Sequence, residues 1–153
     1  MVSFLGFVEY CIDNGLIHAE QKQFMTSDVI NTAVEYVKIF LPMCKMEGFD
    51  LIGNEDDRYT ILDHCHSAGA FIASKRNQKM SFEEINKLLR TDDAKMLLML
   101  DKKIKRDDVE ALSTCIEAML NDYIATEKPK DINTAYIHCM VGSVILGAIC
   151  FTE

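Results

Sequence analysis

The chain has 153 residues, 24 acidic against 16 basic side chains and a net charge of −8. That length suits one domain, which buries roughly 70% of the surface its unfolded chain would expose and needs no staples to fold. The acidic balance excludes a phosphate-neutralising nucleic-acid interface, which needs a basic patch.

With only two prolines and seven glycines, no alternating Val/Ile/Thr-rich segment, and apolar residues recurring at three and four, the pattern predicts helices throughout. The first covers about residues 2–14, with Phe4, Leu5, Val8, Cys11 and Ile12 on one face and Asn14-Gly15 as its stop signal. A second starts at Thr26 or Ser27 and runs to about Met46 through Ile30, Ala33, Val34, Val37, Phe40, Leu41 and Cys44. Pro42 lies inside it and is expected to end or kink it near Leu41, because its ring clashes with the preceding turn and it has no N–H to donate.

Gly48 to Gly53 reads as a loop, and Asn-Glu-Asp-Asp opens a third helix over about 55–76 with Ile61, Leu62, Cys65, Ala68 and Ile72 inward. Ser81-Phe-Glu-Glu84 is a capping box for a short fourth helix carrying Phe82, Ile85, Leu88 and Leu89. A fifth runs from Thr91 to about Ile104, and a sixth from Asp107-Asp108 to just before Lys128-Pro129, with Val109, Leu112, Cys115, Ile116, Met119, Leu120 and Tyr123 on its face. The last, Ile132 to Phe151, follows the N-cap candidate Asp131 and is apolar all round, which places it at the centre of a bundle. The expected fold is therefore a single all-α domain, residues 1–153, of six or seven helices with this segment in its core.

Many of the acids fall at these helix starts, where carboxylates cap free N–H groups and oppose the helix dipole. Six cysteines, at 11, 44, 65, 115, 139 and 150, sit singly in apolar patterns without CxxC pairs and read as reduced thiols. The N-terminal stretch lacks a basic, apolar leader, and the longest uncharged apolar run, Cys139 to Phe151, is 13 residues, below the roughly 18 of a membrane span. The expectation is a cytoplasmic protein, in the host cytosol if the source is viral.

Asp63-His-Cys-His66 is the one dense cluster of ligand-type side chains, which makes His64, Cys65 and His66 the metal candidates. On a helix the two histidines diverge by about 200°, so one ion cannot take both. The expectation is no metal and no cofactor, with a buried Cys65 between two partly exposed histidines. Cys65 and Cys139 stand beside histidines in sequence, but neighbours on a helix do not face each other and make no catalytic dyad. No phosphate-binding loop, dinucleotide fingerprint, G-x-S-x-G or HExxH occurs.

Four cations between Lys102 and Arg106, followed by Asp107 and Asp108, suit a helix-to-helix corner. Met96-Leu-Leu-Met-Leu100 is apolar on every side of a short helix, and its surplus marks a candidate partner surface of Met96 and Met99 with Phe82, Ile85 and Leu89 beside them.

Composition and the motifs present favour a non-enzymatic acidic module that binds a basic protein partner, such as an inhibitor, an immunity protein or a viral or phage antagonist of host defence. A structural or regulatory subunit, a homo-oligomer, and a helical ligand-binding or enzyme domain are the alternatives. His66-Ser-Ala-Gly-Ala-Phe-Ile72, a glycine followed by apolar residues, partly resembles the main signature of Bcl-2-like proteins but lacks its Trp-Gly-Arg core; the resemblance implies a groove for a partner helix.

Overall fold

The computed structural model describes residues 4–13, 15, 17–49, 54–91 and 132–153. It is all-α, and among the described residues there is no strand. Helix α1 spans Phe4–Asp13 and buries Val8 and Cys11. It stops as the spacing predicts, because Gly15 takes φ +72° and donates its N–H to the Ile12 carbonyl at 3.0 Å.

Between α1 and the next helix lies a 3-10 helix, Ala19–Phe24, that the apolar pattern does not announce. Its sequence, Ala-Glu-Gln-Lys-Gln-Phe, has no stripe to read, and Gln21 holds it in place. The His18 N–H donates to Gln21 Oε1 at 3.2 Å, and Gln21 Nε2 donates to the Cys150 carbonyl at 2.8 Å, satisfying an orphan acceptor at the far end of the chain.

Helix α2 spans Ser27–Met46, opened by Thr26, whose hydroxyl accepts the Val29 N–H at 3.3 Å. Its buried face is rotated from the expected one: Val29, Thr32 and Tyr36 join Ala33, Val37, Leu41 and Cys44 inside, while Ile30, Val34 and Phe40 are half-buried. Pro42 does not end it. The helix continues to Met46, with Pro42 on its exposed side, where the ring meets no neighbouring helix and the loss of one intrahelical bond is tolerated.

Helix α3, Glu55–Asn77, starts on Asn54, which accepts the Asp57 N–H at 3.2 Å. Helix α4, Phe82–Leu89, starts on Ser81, which accepts the Glu84 N–H at 3.2 Å. Helix α5 spans Ile132–Cys150, every residue from Met140 to Ile149 is buried, and it packs against α1, the 3-10 helix, α2 and α3. The expected fifth and sixth helices, and the cap Asp131, lie outside the described residues.

Helices α3 and α5 run parallel, as three points of register establish. Ser143 Oγ donates to the Leu62 carbonyl at 3.0 Å, Gly147 faces Gly69, and the Asn77 amide exchanges two hydrogen bonds, 2.9 and 3.0 Å, with the Phe151 carbonyl and the Glu153 N–H. The two glycines bring the backbones into contact: a Cβ on Gly69 would overlap the Val144 carbonyl oxygen, and one on Gly147 the His66 carbonyl oxygen.

Helices α2 and α3 end in the same turn. Its two bonds run from Phe49 N to Cys44 O (3.0 Å) and Gly48 N to Lys45 O (3.2 Å) after α2, and from Met80 N to Lys75 O (3.0 Å) and Lys79 N to Arg76 O (2.8 Å) after α3. The left-handed position is Gly48, φ +83°, in one and Lys79, φ +64°, in the other. A side chain at that φ is strained, so Lys79→Gly is expected to raise stability by about 0.5–1 kcal/mol, relief of strain exceeding the added unfolded-state entropy. An unchanged or lower denaturation midpoint would contradict it.

Candidate functional site

The three neighbours His64, Cys65 and His66 occupy successive positions on α3, and helical geometry sends them apart. His64 turns toward α2: its Nε2 lies 2.6 Å from the Tyr36 hydroxyl, and its ring stacks on Phe40 with centroids 4.1 Å apart and planes 15° from parallel. Burial pushes the Tyr36 hydroxyl well above its ordinary range, as do the neighbouring Cys65 and Cys44, so the phenol keeps its proton and donates. Burial also lowers the His64 imidazole to about 4, so it is neutral at pH 7 and accepts that proton at Nε2.

Cys65 is fully buried, and its thiol is pushed up by burial and by Cys44. His66 turns the other way, toward α5, and meets Phe151 edge-on with ring centroids 5.8 Å apart. The sequence led us to expect two partly exposed histidines; His64 is half-buried, but His66 is only 3% exposed. The reason is tertiary: His66 lies on the face where α3 meets α5 at Gly147. Among the described residues no three His, Cys, Asp or Glu side chains are grouped so as to hold a metal ion.

The thiols share this environment. Cys44, Cys65 and Cys150 carry free thiols, and burial raises Cys44 and Cys150 to about 11. At pH 7 these two and Cys65 are thiols rather than thiolates, poor nucleophiles and poor ligands. The side chains of Cys115, His138 and Cys139 lie outside the described residues.

A pH dependence follows from the His64–Tyr36 pair. The His64 pKa is lower in the folded chain, about 4, than the ordinary 6.5 of the unfolded one, so the unfolded state takes up the proton first as pH falls. The contribution is therefore complete above pH 6.5 and lost on the way down to about 4. Between pH 7 and pH 5 it is expected to remove about 2 kcal/mol. Urea denaturation of the wild type and of His64→Gln at both pH values measures this as the difference between their losses; equal losses would show that His64 does not titrate as its burial demands.

Three members of the candidate partner surface lie on α4. Ile85 and Leu89 are 0% and 2% exposed, inside the core, where a partner cannot reach them without displacing the helix. An eight-residue helix has room for one apolar stripe, and this one is buried. Phe82 is half-buried beneath the Arg76 guanidinium, 4.9 Å from its ring centroid. Met96 and Met99, the other members, lie outside the described residues, as does the basic run from Lys102 to Arg106.

Large apolar side chains do reach the surface elsewhere: Met46 is 86% exposed, Phe151 45%, Ile137 37% and Phe49 36%. Sequence reading places Met46 at a helix end and Phe49 in a loop without singling out either. The only signal available was two apolar residues three apart in a stretch otherwise rich in acids. The Tyr36–His64 pair, 28 residues apart, has no local signal at all.

The fold and this site define an all-α helix bundle in which the Tyr36–His64 pair ties α2 to α3 and the Ser143 hydroxyl ties α5 to α3. Comparison with family models, with curated proteins and with solved structures finds no match to this chain. No helix among the described residues is long and apolar enough to cross a membrane.

Proposed function

We propose that this protein is a non-enzymatic, acidic helical module that binds a basic protein partner, in the manner of an inhibitor or antagonist. The observation that carries the reading is the pairing of exposed apolar side chains, Met46 foremost at 86%, with a net charge of −8. Apolar residues exposed within a charged surround supply the desolvated centre of an interface, and the surrounding charge steers the partner to it. The cluster most suggestive of chemistry contributes to this reading as well, since Tyr36 and His64 satisfy each other and the Cys65 thiol is deeply buried.

The test is affinity capture of the full chain from its source cells, followed by association kinetics with the recovered protein at low and high salt. The expected result is a stoichiometric basic partner whose association slows several-fold with added salt while dissociation changes little. Capture of no macromolecule, together with retention or turnover of a small molecule, would replace this reading with a ligand-binding or enzymatic one.

A further inference from the structure

We infer that Met46 is a site of reversible oxidation by a hydroperoxide, its thioether becoming a sulfoxide while the fold stays intact. The first observation is access. Met46, at the end of α2, is 86% exposed, whereas Met25, Met43 and Met80 are half-buried and Met140 lies in the core. The oxidant must reach the sulfur, so a methionine this open reacts at close to the rate of one in an unstructured chain, and a buried one waits for the structure to open. Hydrogen peroxide is uncharged, so neither the net charge of −8 nor the neighbouring Lys45 and Glu47 steers it away.

The second observation is that the other described sulfurs are withdrawn from this chemistry. Cys11, Cys44 and Cys65 are buried and Cys150 is half-buried. The thiolate is the form that peroxide oxidises, and burial keeps Cys44, Cys65 and Cys150 protonated at pH 7. Among the described residues the sulfur that a hydroperoxide meets first is therefore a thioether and not a thiol.

The step needs no further reagent. A sulfur lone pair forms the S–O bond as the O–O bond breaks, and the proton on the transferred oxygen passes to the departing one, which leaves as water. Sulfur loses two electrons and the peroxide gains them. A dithiol-dependent sulfoxide reductase reverses it, and a side chain this open admits that enzyme. The fold is spared because Met46 gives up no core contact, and the bonds of the turn beside it, Phe49 N to Cys44 O and Gly48 N to Lys45 O, are made by backbone alone. Resting on the reading proposed above, the sulfoxide sets a hydrated polar group at the apolar centre of the contact and weakens it.

The experiment treats the full chain with dilute hydrogen peroxide at pH 7 and maps the added oxygen by proteolysis and mass spectrometry, with an unstructured methionine peptide as the reference rate. Met46 is expected to gain one oxygen at close to the reference rate and Met140 at least about tenfold more slowly. The two epimer-specific methionine sulfoxide reductases together should remove the Met46 oxygen, and treated wild type should melt as treated Met46→Leu does. Slow oxidation of Met46, a cysteine oxidised before it, or a lower melting midpoint in the wild type than in Met46→Leu would overturn the site. With the captured partner, oxidised wild type and Met46→Gln, polar and of similar length, should bind about tenfold more weakly, while Met46→Leu keeps its affinity through the treatment. Equal binding by oxidised and reduced protein would overturn the control of binding and leave the module reading its partner. Recovery of no partner would instead be the failure of that reading, and the oxygen map by itself then decides whether Met46 is the site.

Discussion

Val144→Asp is expected to abolish the native fold at pH 7. Val144 is 0% exposed on α5, in the turn whose backbone meets α3, since a Cβ on Gly69 would overlap the Val144 carbonyl oxygen. A carboxylate placed there would lose its water, and Ser143, the nearest hydroxyl in sequence, already donates to Leu62. Stranding an unpaired charge costs several kcal/mol, comparable with the whole stability of a domain this size. Far-ultraviolet circular dichroism and a thermal melt measure it directly. A cooperative melt within a few degrees of the wild type would mean that this part of α5 is peripheral, contrary to its burial.

Gly147→Ala should also be strongly destabilising, and the sign is what makes it informative. Inside a helix the replacement of glycine by alanine ordinarily stabilises by about 0.5–1 kcal/mol, because glycine gives up more backbone entropy on folding. Here the added methyl meets the His66 carbonyl oxygen, with Ala70 N and Gly69 Cα both 3.0 Å from it, and all three are backbone atoms that no rotamer change can move. The helices must separate, which opens gaps along the seam, and a loss of about 3 kcal/mol or more is expected. Gly69→Ala should behave likewise, and the double variant should lose less than the sum, since the first substitution has already forced the helices apart. Urea denaturation of the three variants decides it; a stabilised Gly147→Ala would show that α3 and α5 do not touch at this point.

The two substitutions act on a seam that was only half legible beforehand. The buried face of α3 was readable because Ile61, Leu62, Cys65, Ala68 and Ile72 repeat at three and four, and all five are buried. The starts of α2, α3 and α4 were readable because Thr26, Asn54 and Ser81 are local capping side chains whose bonds reach only three residues ahead. Gly69 carried no such sign. A glycine within a helix reads as a weak spot until the partner backbone is known, and that partner, Gly147, lies 78 positions away.

The candidate site divides in the same way. That His64 and His66 cannot share an ion was decided by helical geometry within the sequence. Which of them is buried was not, because burial depends on whether α2 or α5 covers that face. The burial of Ile85 and Leu89, read as members of a partner surface, was not legible for this reason: an apolar stripe looks the same in sequence whether a partner or the chain's own core covers it. The 3-10 helix 19–24 escaped notice because its decisive bond, Gln21 to the Cys150 carbonyl, spans 129 residues.

What the sequence by itself determined is therefore whatever depends on interactions within about one helical turn: the all-α class, the helix starts, the stop at Gly15 and the divergence of the two histidines. Tertiary structure alone decided what depends on two distant segments meeting. It chose the parallel pairing of α3 with α5 through Gly69 and Gly147, the neutral His64 held by Tyr36, the burial of His66, and the exposure of Met46 and Phe49 at the end of α2. Periodicity along one chain records that a face is apolar, and only the packing of the other helices fixes which apolar faces are covered and which remain open to a partner.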